Sequence, residues 1–258
     1  DDKTAIIDTI KSGNLSDYIE RLTSVLPEGR GIDYLIVNHM EPDHSGSIRM
    51  LRHLYPEMKI VGNKKTVEMI DAFYRITENI IEAKEGDVLD LGHHKVTFAM
   101  IPMVHWPESM VTYDATEKVL FSTDAFGGFS ALEGGIFDDE LDMVHYEYEI
   151  LRYFANIVGR YAAPTQKAIA KVRVLQPKII CPAHGPIHRT NPWHIVDLYD
   201  KWSRHETDEG VVVVYGSMYG NTKFMTDAIA RSISEAGIKD VFVHDVSRDN
   251  LSFMVADI

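Results

Sequence analysis

"HMEPDHSG", residues 39–46, follows directly on a short apolar run and concentrates four potential metal ligands: His39, Glu41, Asp43 and His44. A solvated turn rarely needs two imidazoles, whereas metal sites combine imidazole nitrogens with carboxylate oxygens. Side chains two apart at the end of a strand point the same way, so His39 and Glu41 are expected to bind one metal together. Asp43 and His44 lie on the following turn and are expected to face a second metal.

Three further candidate ligands each follow a predicted strand. They are His105 in "MVHWPESM", Asp124 in "FSTDAFGG" and His184 in "CPAHGP". Loops at strand ends that converge on one edge of a sheet often assemble a site from distant residues. With the first stretch, four histidines and three acids supply enough ligands for two metals, and Asp124 is the natural bridging carboxylate.

The remaining histidines have no such partners in the sequence. We interpret them as surface or packing residues: His53, His93, His94, His145, His194, His205 and His244. His188 is a weaker candidate for a position behind the ligands. Trp106 and Tyr153 are candidates for lining the pocket, and for Tyr153 burial in the core is the favoured interpretation.

The pattern His39-x-Glu41-x-Asp43-His44, followed by His105, Asp124 and His184, resembles the metal motif of the metallo-β-lactamase superfamily. The usual hydrolases of that superfamily have His where this chain has Glu41. The Glu form, together with "HWPES", "STDAFGG" and "AHGPIHR", resembles the flavodiiron proteins over nearly the whole chain.

That resemblance implies an α/β fold, namely an αββα sandwich followed by the start of a flavodoxin-like doubly wound domain. It also implies a diiron enzyme that reduces O2 to water or NO to N2O. The first iron would be held by His39, Glu41 and His105, and the second by Asp43 and His184, with Asp124 bridging both. The residue matching His44 is a ligand in some relatives and turns away in others.

Glu41 adds negative charge and a hard oxygen donor in place of a neutral imidazole. Mixed imidazole and carboxylate ligation suits iron that changes oxidation state, whereas zinc has no redox chemistry. Ligand geometry alone leaves zinc and manganese open. One alternative is therefore a dinuclear zinc hydrolase of the same fold, and a second is a redox-inactive binding or sensor module.

"VVVVYGSMYGNTKFM" (211–225) places a polar, glycine-containing loop between an apolar strand and a helix. A phosphate would sit there on backbone N–H groups and the positive end of the helix dipole. The loop is not a G-x-G-x-x-G dinucleotide fingerprint; it resembles the phosphate loop of flavodoxins, which implies FMN. The candidate FMN-binding residues are Ser217, Met218, Tyr219, Gly220, Asn221 and Thr222.

The polar segment "ETDEG" (206–210) lacks periodicity and predicts a domain boundary. We expect a metallo-β-lactamase-like diiron domain over 1–208 and the first part of a flavodoxin-like domain over 209–258. A flavodoxin-like sheet needs about five strands, so FMN is expected for a longer protein. The first residues, "DDKTAIIDT", contain no Met, so we expect the first domain to begin upstream of residue 1.

The net charge of −13 argues against non-specific nucleic-acid binding and against docking on an anionic membrane. A single cysteine, Cys181, excludes a disulfide within the chain and fits a reducing compartment. The resemblance further implies a cytoplasmic enzyme that forms a head-to-tail homodimer or a dimer of dimers. Its electrons would come from rubredoxin, a deazaflavin cofactor or a nicotinamide-dependent reductase. O2 and NO would use the same ligands, so the sequence does not separate them.

Overall fold

Two β-sheets lie at the centre of the computed structural model, which describes residues 2–258, and helices cover the outer face of each sheet. The first sheet is parallel throughout, with its strands in chain order. These strands and the helices between them are β1 (Ala5–Ile7), α1 (Leu15–Val25), β2 (Tyr34–Ile36), α2 (Pro42–Ser45), α3 (Ile48–Leu54), β3 (Lys59–Gly62), α4 (Lys64–Tyr74) and β4 (Ile80–Glu82).

The second sheet has five strands in chain order, antiparallel from the first to the fourth, with the last strand parallel to the fourth. Its strands and helices are β5 (Val88–Asp90), β6 (Lys95–Met100), β7 (Met110–Asp114), β8 (Val119–Thr123), α5 (Met143–Tyr153), α6 (Ala162–Leu175), β9 (Ile179–Pro182) and α7 (Pro192–Ser203). Strands β6, β8 and β9 therefore run the same way and end at one edge.

Side chains on successive strand positions enter different layers of the core, because they point to opposite faces of a sheet. In β2, Leu35 packs with the helices on the outer face and Ile36 packs between the two sheets. Ile60 and Val61 of β3 divide in the same way. Burial on both faces explains why these strands are continuous apolar runs. The helices outside the two sheets complete the αββα layering that the family resemblance implies.

Asn38, just beyond β2, joins the two sheets at the edge where the strands end. Its side chain donates to the carbonyl of Phe121 at 3.3 Å and accepts from the hydroxyl of Thr112 at 2.7 Å. Its backbone carbonyl accepts from the N–H of Met110 at 3.1 Å. Because Asn38 and Thr112 are fully buried, these bonds fix the end of β2 against the second sheet.

The last part of the chain forms a parallel pair of strands with a helix between them. These elements are β10 (Val211–Tyr215), α8 (Asn221–Glu235), β11 (Val241–Asp245) and α9 (Leu251–Asp257). Helix α9 packs on α5, where the hydroxyl of Ser252 donates to Glu149 at 2.6 Å and the ring of Phe253 meets that of Tyr148. The segment 206–210 lies between α7 and β10, and the domain boundary there stays a prediction.

Most expected strands and helices are present, but several details differ from the sequence prediction. Asp43 and His44 lie on the short helix α2, where a turn was expected. Strand β7 and helix α9 were not predicted. His105 lies within the loop between β6 and β7, not directly at a strand end. None of the helices within residues 2–258 combines the length and the apolar character needed to cross a membrane.

Candidate metal centre

All seven sequence-predicted ligands meet at the edge where β2, β6, β8 and β9 end. Four chain segments carry them: the segment after β2 with α2, the β6–β7 loop, the residue after β8, and the loop after β9. The side chains divide into two groups of potential ligands, the first with His39, Glu41, His105 and Asp124 and the second with Asp43, His44 and His184.

In the first group, two imidazoles and two carboxylates face one another. The Nε2 atom of His39 lies 3.3 Å from Glu41 Oε2 and 3.2 Å from Asp124 Oδ2. The Nε2 atom of His105 lies 3.0 Å and 3.1 Å from the same two oxygens. Four donor atoms thus surround one point, with nitrogens and oxygens alternating.

The second group lies on the other side of Asp124. The Nε2 atom of His184 is 3.2 Å from Asp43 Oδ2 and 3.3 Å from Asp124 Oδ1. The Nε2 atom of His44 is 3.2 Å from the same Oδ1 and 3.8 Å from Asp43 Oδ2. Asp124 therefore offers Oδ2 to the first group and Oδ1 to the second, which is the arrangement of a bridging carboxylate.

Two buried carboxylate oxygens of the centre, Asp124 Oδ2 and Asp43 Oδ1, have no hydrogen-bond partner within residues 2–258. The imidazole nitrogens beside Asp124 Oδ2 lie at contact distance, yet they are not aligned as hydrogen-bond donors to it. Buried polar atoms are nearly always satisfied, so an unpaired one indicates a missing ligand such as an ion. The residues present therefore fit two metal ions.

The carboxylates of the cluster also favour positive charge on their neighbours. Burial alone would lower the pKa of His39, but the neighbouring carboxylates of Asp124, Glu108 and Glu41 raise it to about 11. Burial likewise opposes the effect of Asp124 and Asp8 on His44, whose pKa rises to about 10. Metal ions would supply the same positive charge and leave the imidazoles neutral, as ligation requires.

Two carboxylates that sequence reasoning missed stand behind the histidines. Glu108 Oε1 accepts from His39 Nδ1 at 2.9 Å, and Asp8 Oδ2 lies 3.2 Å from His44 Nδ1. Ligating histidines typically present their other ring nitrogen to a carboxylate in this way. The available signals were the acid three positions after His105, which is Glu108, and the acid that follows the apolar residues 5–7, which is Asp8.

Tyr153 corrects one interpretation from the sequence. Its ring is buried, as expected of a core residue, but its hydroxyl donates to Asp124 Oδ1 at 2.9 Å. The ring also lies against Phe129 and His184, with centroids 4.9 and 5.8 Å away. Tyr153 is thus part of the wall of the centre, and helical spacing alone could not reveal this because its partner, Asp124, lies 29 positions away in the chain.

Trp106 borders the first group as the sequence suggested, with its ring centroid 5.3 Å from that of His39. His188 is buried behind the centre and donates from Nε2 to the carbonyl of Phe126 at 3.3 Å. Neither metal-ligand group found in the described part of the chain contains any of the other histidines. Several of them pair with carboxylates elsewhere: His94 with Asp114, His194 with Glu147, and His244 with Asp249 and Asp257.

The candidate phosphate loop connects β10 to the 15-residue helix α8. Gly220 adopts φ +87° at the start of the helix, and its N–H donates to Ser217 Oγ at 3.0 Å. Met218 and Tyr219 are among the most exposed apolar side chains, at 86% and 87%. Open space around Gly220 and the adjacent helix N-terminus suit a phosphate group.

Comparisons with known proteins identify a matching family and several relatives of this chain. The family described as ODP family β-lactamase matches residues 1–185. An uncharacterised protein of Methanocaldococcus jannaschii is 34% identical over 259 residues, which cover 100% of this chain and 65% of that protein. The anaerobic nitric oxide reductase flavorubredoxin of Escherichia coli is 34% identical over 239 residues, 91% of this chain and 50% of that protein.

Solved structures show the same relationship. Rubredoxin oxygen:oxidoreductase from Desulfovibrio gigas superimposes with a TM-score of 0.91 at 31% identity, covering 100% of this chain and 65% of that one. The flavodiiron protein from Giardia intestinalis gives 0.90 at 28% identity, covering 99% and 62%. The chain thus spans between half and two thirds of the length of these relatives.

Proposed function

The chain belongs to the ODP family of β-lactamase-like proteins, and on that premise we propose that its metal centre holds two irons and reduces O2 or NO with electrons delivered through FMN. The observation that carries the proposal is the bridging position of Asp124, which faces both ligand groups at 3.1–3.3 Å. A two-metal site of this kind can share the charge that develops on substrate oxygens.

Iron is favoured over zinc by the donor set of the first position. Glu41 and Asp124 supply oxygens opposite His39 and His105, and hard anionic donors stabilise the ferric state. The proposed ligands are His39, Glu41 and His105 for the first iron, Asp43 and His184 for the second, and Asp124 for both. His44 is proposed as a further ligand of the second iron because its Nε2 faces the same Asp124 oxygen as His184.

The chain's own residues would shape the reaction in three ways. Asp124 would hold the two ions together, and Tyr153 donates a hydrogen bond to the oxygen of Asp124 that faces the second position. The ring of Trp106 borders the first position and would exclude water from that side. Two irons held by these ligands would supply the electron transfer that the reduction of O2 or NO requires.

FMN is proposed at the loop of Ser217, Met218, Tyr219, Gly220, Asn221 and Thr222, as the phosphate-binding part of a flavodoxin-like domain that begins at about residue 209. The names of the relatives support a rubredoxin-type donor, and the names of two of them point to O2 and NO as the substrates. A head-to-tail homodimer and a cytoplasmic location belong to the same proposal.

The first experiment is an elemental analysis of iron and zinc in protein purified without oxygen and without added metal. Two irons per chain are expected, followed by rapid spectral change when the reduced protein is mixed with O2 or with NO. The relative rates with the two gases identify the preferred substrate. Two zincs, no reaction with either gas, and hydrolysis of esters or lactams would contradict the proposal.

A further inference from the structure

We propose that Glu108 is a positioning residue for the first metal and that it acts through His39. This inference rests on one part of the proposed function, namely that the centre binds metal. The side chain of Glu108 has no exposed surface, and neither has that of His39. Glu108 Oε1 lies 2.9 Å from His39 Nδ1 and accepts a second bond from the N–H of Met40, also at 2.9 Å.

One carboxylate oxygen thus holds both the ring of His39 and the backbone of the next residue. The bond to Nδ1 fixes the imidazole tautomer that keeps its proton on Nδ1, so that Nε2 offers its lone pair to the metal position. The bond to Met40 fixes the direction in which the chain leaves β2. Together the two bonds set the position of His39 more tightly than packing alone would.

The second oxygen of Glu108, Oε2, is buried without a partner. A Gln at this position could keep both bonds through its carbonyl oxygen and would avoid burying a negative charge. Burial of an incompletely paired carboxylate is costly, so a role in packing alone does not explain Glu rather than Gln. A charged acceptor on Nδ1, by contrast, makes Nε2 a stronger donor to a cation.

The four histidines of the centre differ in whether a carboxylate faces their Nδ1 atom. Asp8 faces Nδ1 of His44 as Glu108 faces that of His39. Among the residues that the structure describes, no carboxylate pairs with Nδ1 of His105 or His184. In the first ligand group, the histidine with a carboxylate on Nδ1 is therefore His39, which directly follows Asn38 at the junction of the two sheets.

The test is a titration of the metal-free chain with Co²⁺, followed by the visible ligand-field bands, for the wild type, Glu108→Gln and Glu108→Ala. Glu108→Gln is expected to weaken the first metal about 10- to 100-fold, and Glu108→Ala is expected to weaken it further. The matched control is Asp114→Asn, which neutralises the partner of His94 at 2.7 Å at the opposite end of β7. It should leave the Co²⁺ affinity unchanged.

A second readout follows the ring of His39 itself. With Zn²⁺ bound at Nε2 the imidazole is neutral and carries its proton on Nδ1, so that proton should exchange slowly with water in the wild type and in Glu108→Gln and fast in Glu108→Ala. Equal Co²⁺ affinity of Glu108→Gln and the wild type would overturn the proposal, and so would equal weakening by Asp114→Asn. A wild type that binds no Co²⁺ would instead refute the proposed metal centre itself.

Discussion

Replacement of His184 by Ala should remove one metal ion from the centre and leave the other in place. His184 belongs to the second ligand group and faces Asp43 and one oxygen of Asp124, whereas the first group keeps all its donors. Four-ligand metal sites have apparent binding free energies of about 10–16 kcal/mol, or about 3 kcal/mol per ligand. Loss of one imidazole should therefore weaken the second ion about 100-fold.

The second position should also be the weaker one in the wild type. Two ligands of the second group, His184 and Asp43, are 37% and 38% exposed, whereas in the first group Glu41 alone is comparably exposed, at 38%. Exposed ligands are held less firmly, so metal should load the first position before the second. Stepwise titration of metal-free protein, with the ion content measured after desalting, should give two equivalents for the wild type and one for His184→Ala.

The complementary variant, His105→Ala, should weaken the first ion and leave the second group intact. His194→Ala is the control, since His194 is half exposed, pairs with Glu147 and lies outside both ligand groups. If His184→Ala and His105→Ala each lose both ions together, the two positions are not independent. The division of the seven ligands into two groups would then be wrong.

Three further predictions concern stability. Tyr153→Phe keeps the ring but removes the hydrogen bond to Asp124, so urea unfolding of the metal-free protein should show a loss of about 1.5–3 kcal/mol. Leu35→Ala opens a cavity at a fully buried position and should cost about 2–5 kcal/mol in the same assay. Despite burial, which raises it, the pKa of Glu149 is held below its ordinary 4.5 by Ser252 and by a neighbouring arginine. The stabilisation of the α9–α5 contact by Glu149 should therefore be complete above about pH 4.5 and should be lost as the pH falls through the lowered pKa of Glu149. Amide hydrogen exchange in α9 measures this loss, and Glu149→Gln should remove the pH dependence.

The layered fold was largely predictable where strands are buried on both faces, as β2 and β3 are, and where helices are buried on one. Continuous apolar runs such as "YLIV" and the periodic stretch of α1 therefore carry strong signals. Strand β7 was missed because two of its five buried residues, Thr112 and Asp114, are polar. Thr112 is satisfied by Asn38, a contact 74 positions away that no local pattern reveals.

The ligands were predictable for a different reason: four of them occur within six positions, and the other three follow predicted strands. The carboxylates that contact the second ring nitrogen of these histidines were not predictable. Glu108 and Asp8 stand behind His39 and His44 across 69 and 36 positions of chain. An isolated acid in a loop has many explanations until the fold shows which imidazole it faces. The expected burial of Tyr153 is confirmed, but its bond to Asp124 was not predictable, since helical spacing reports burial and not the partner of a hydroxyl.

The metal centre lies where the two sheets meet, and this has a consequence for the stability of the whole sandwich. His39 follows a strand of the first sheet and Asp124 follows a strand of the second, so one ion bound to both would link the sheets across their junction. Ion binding and sheet packing should then be coupled. At a free ion concentration 100 times Kd, the native state should gain about 2.7 kcal/mol. Because Asn38 already joins the sheets without metal, the metal-free protein should keep its fold and lose only that increment. Calorimetric unfolding with and without bound ion tests this: a metal-free chain that lacks cooperative unfolding would mean that the ions, and not Asn38 and the apolar layers, hold the two sheets together.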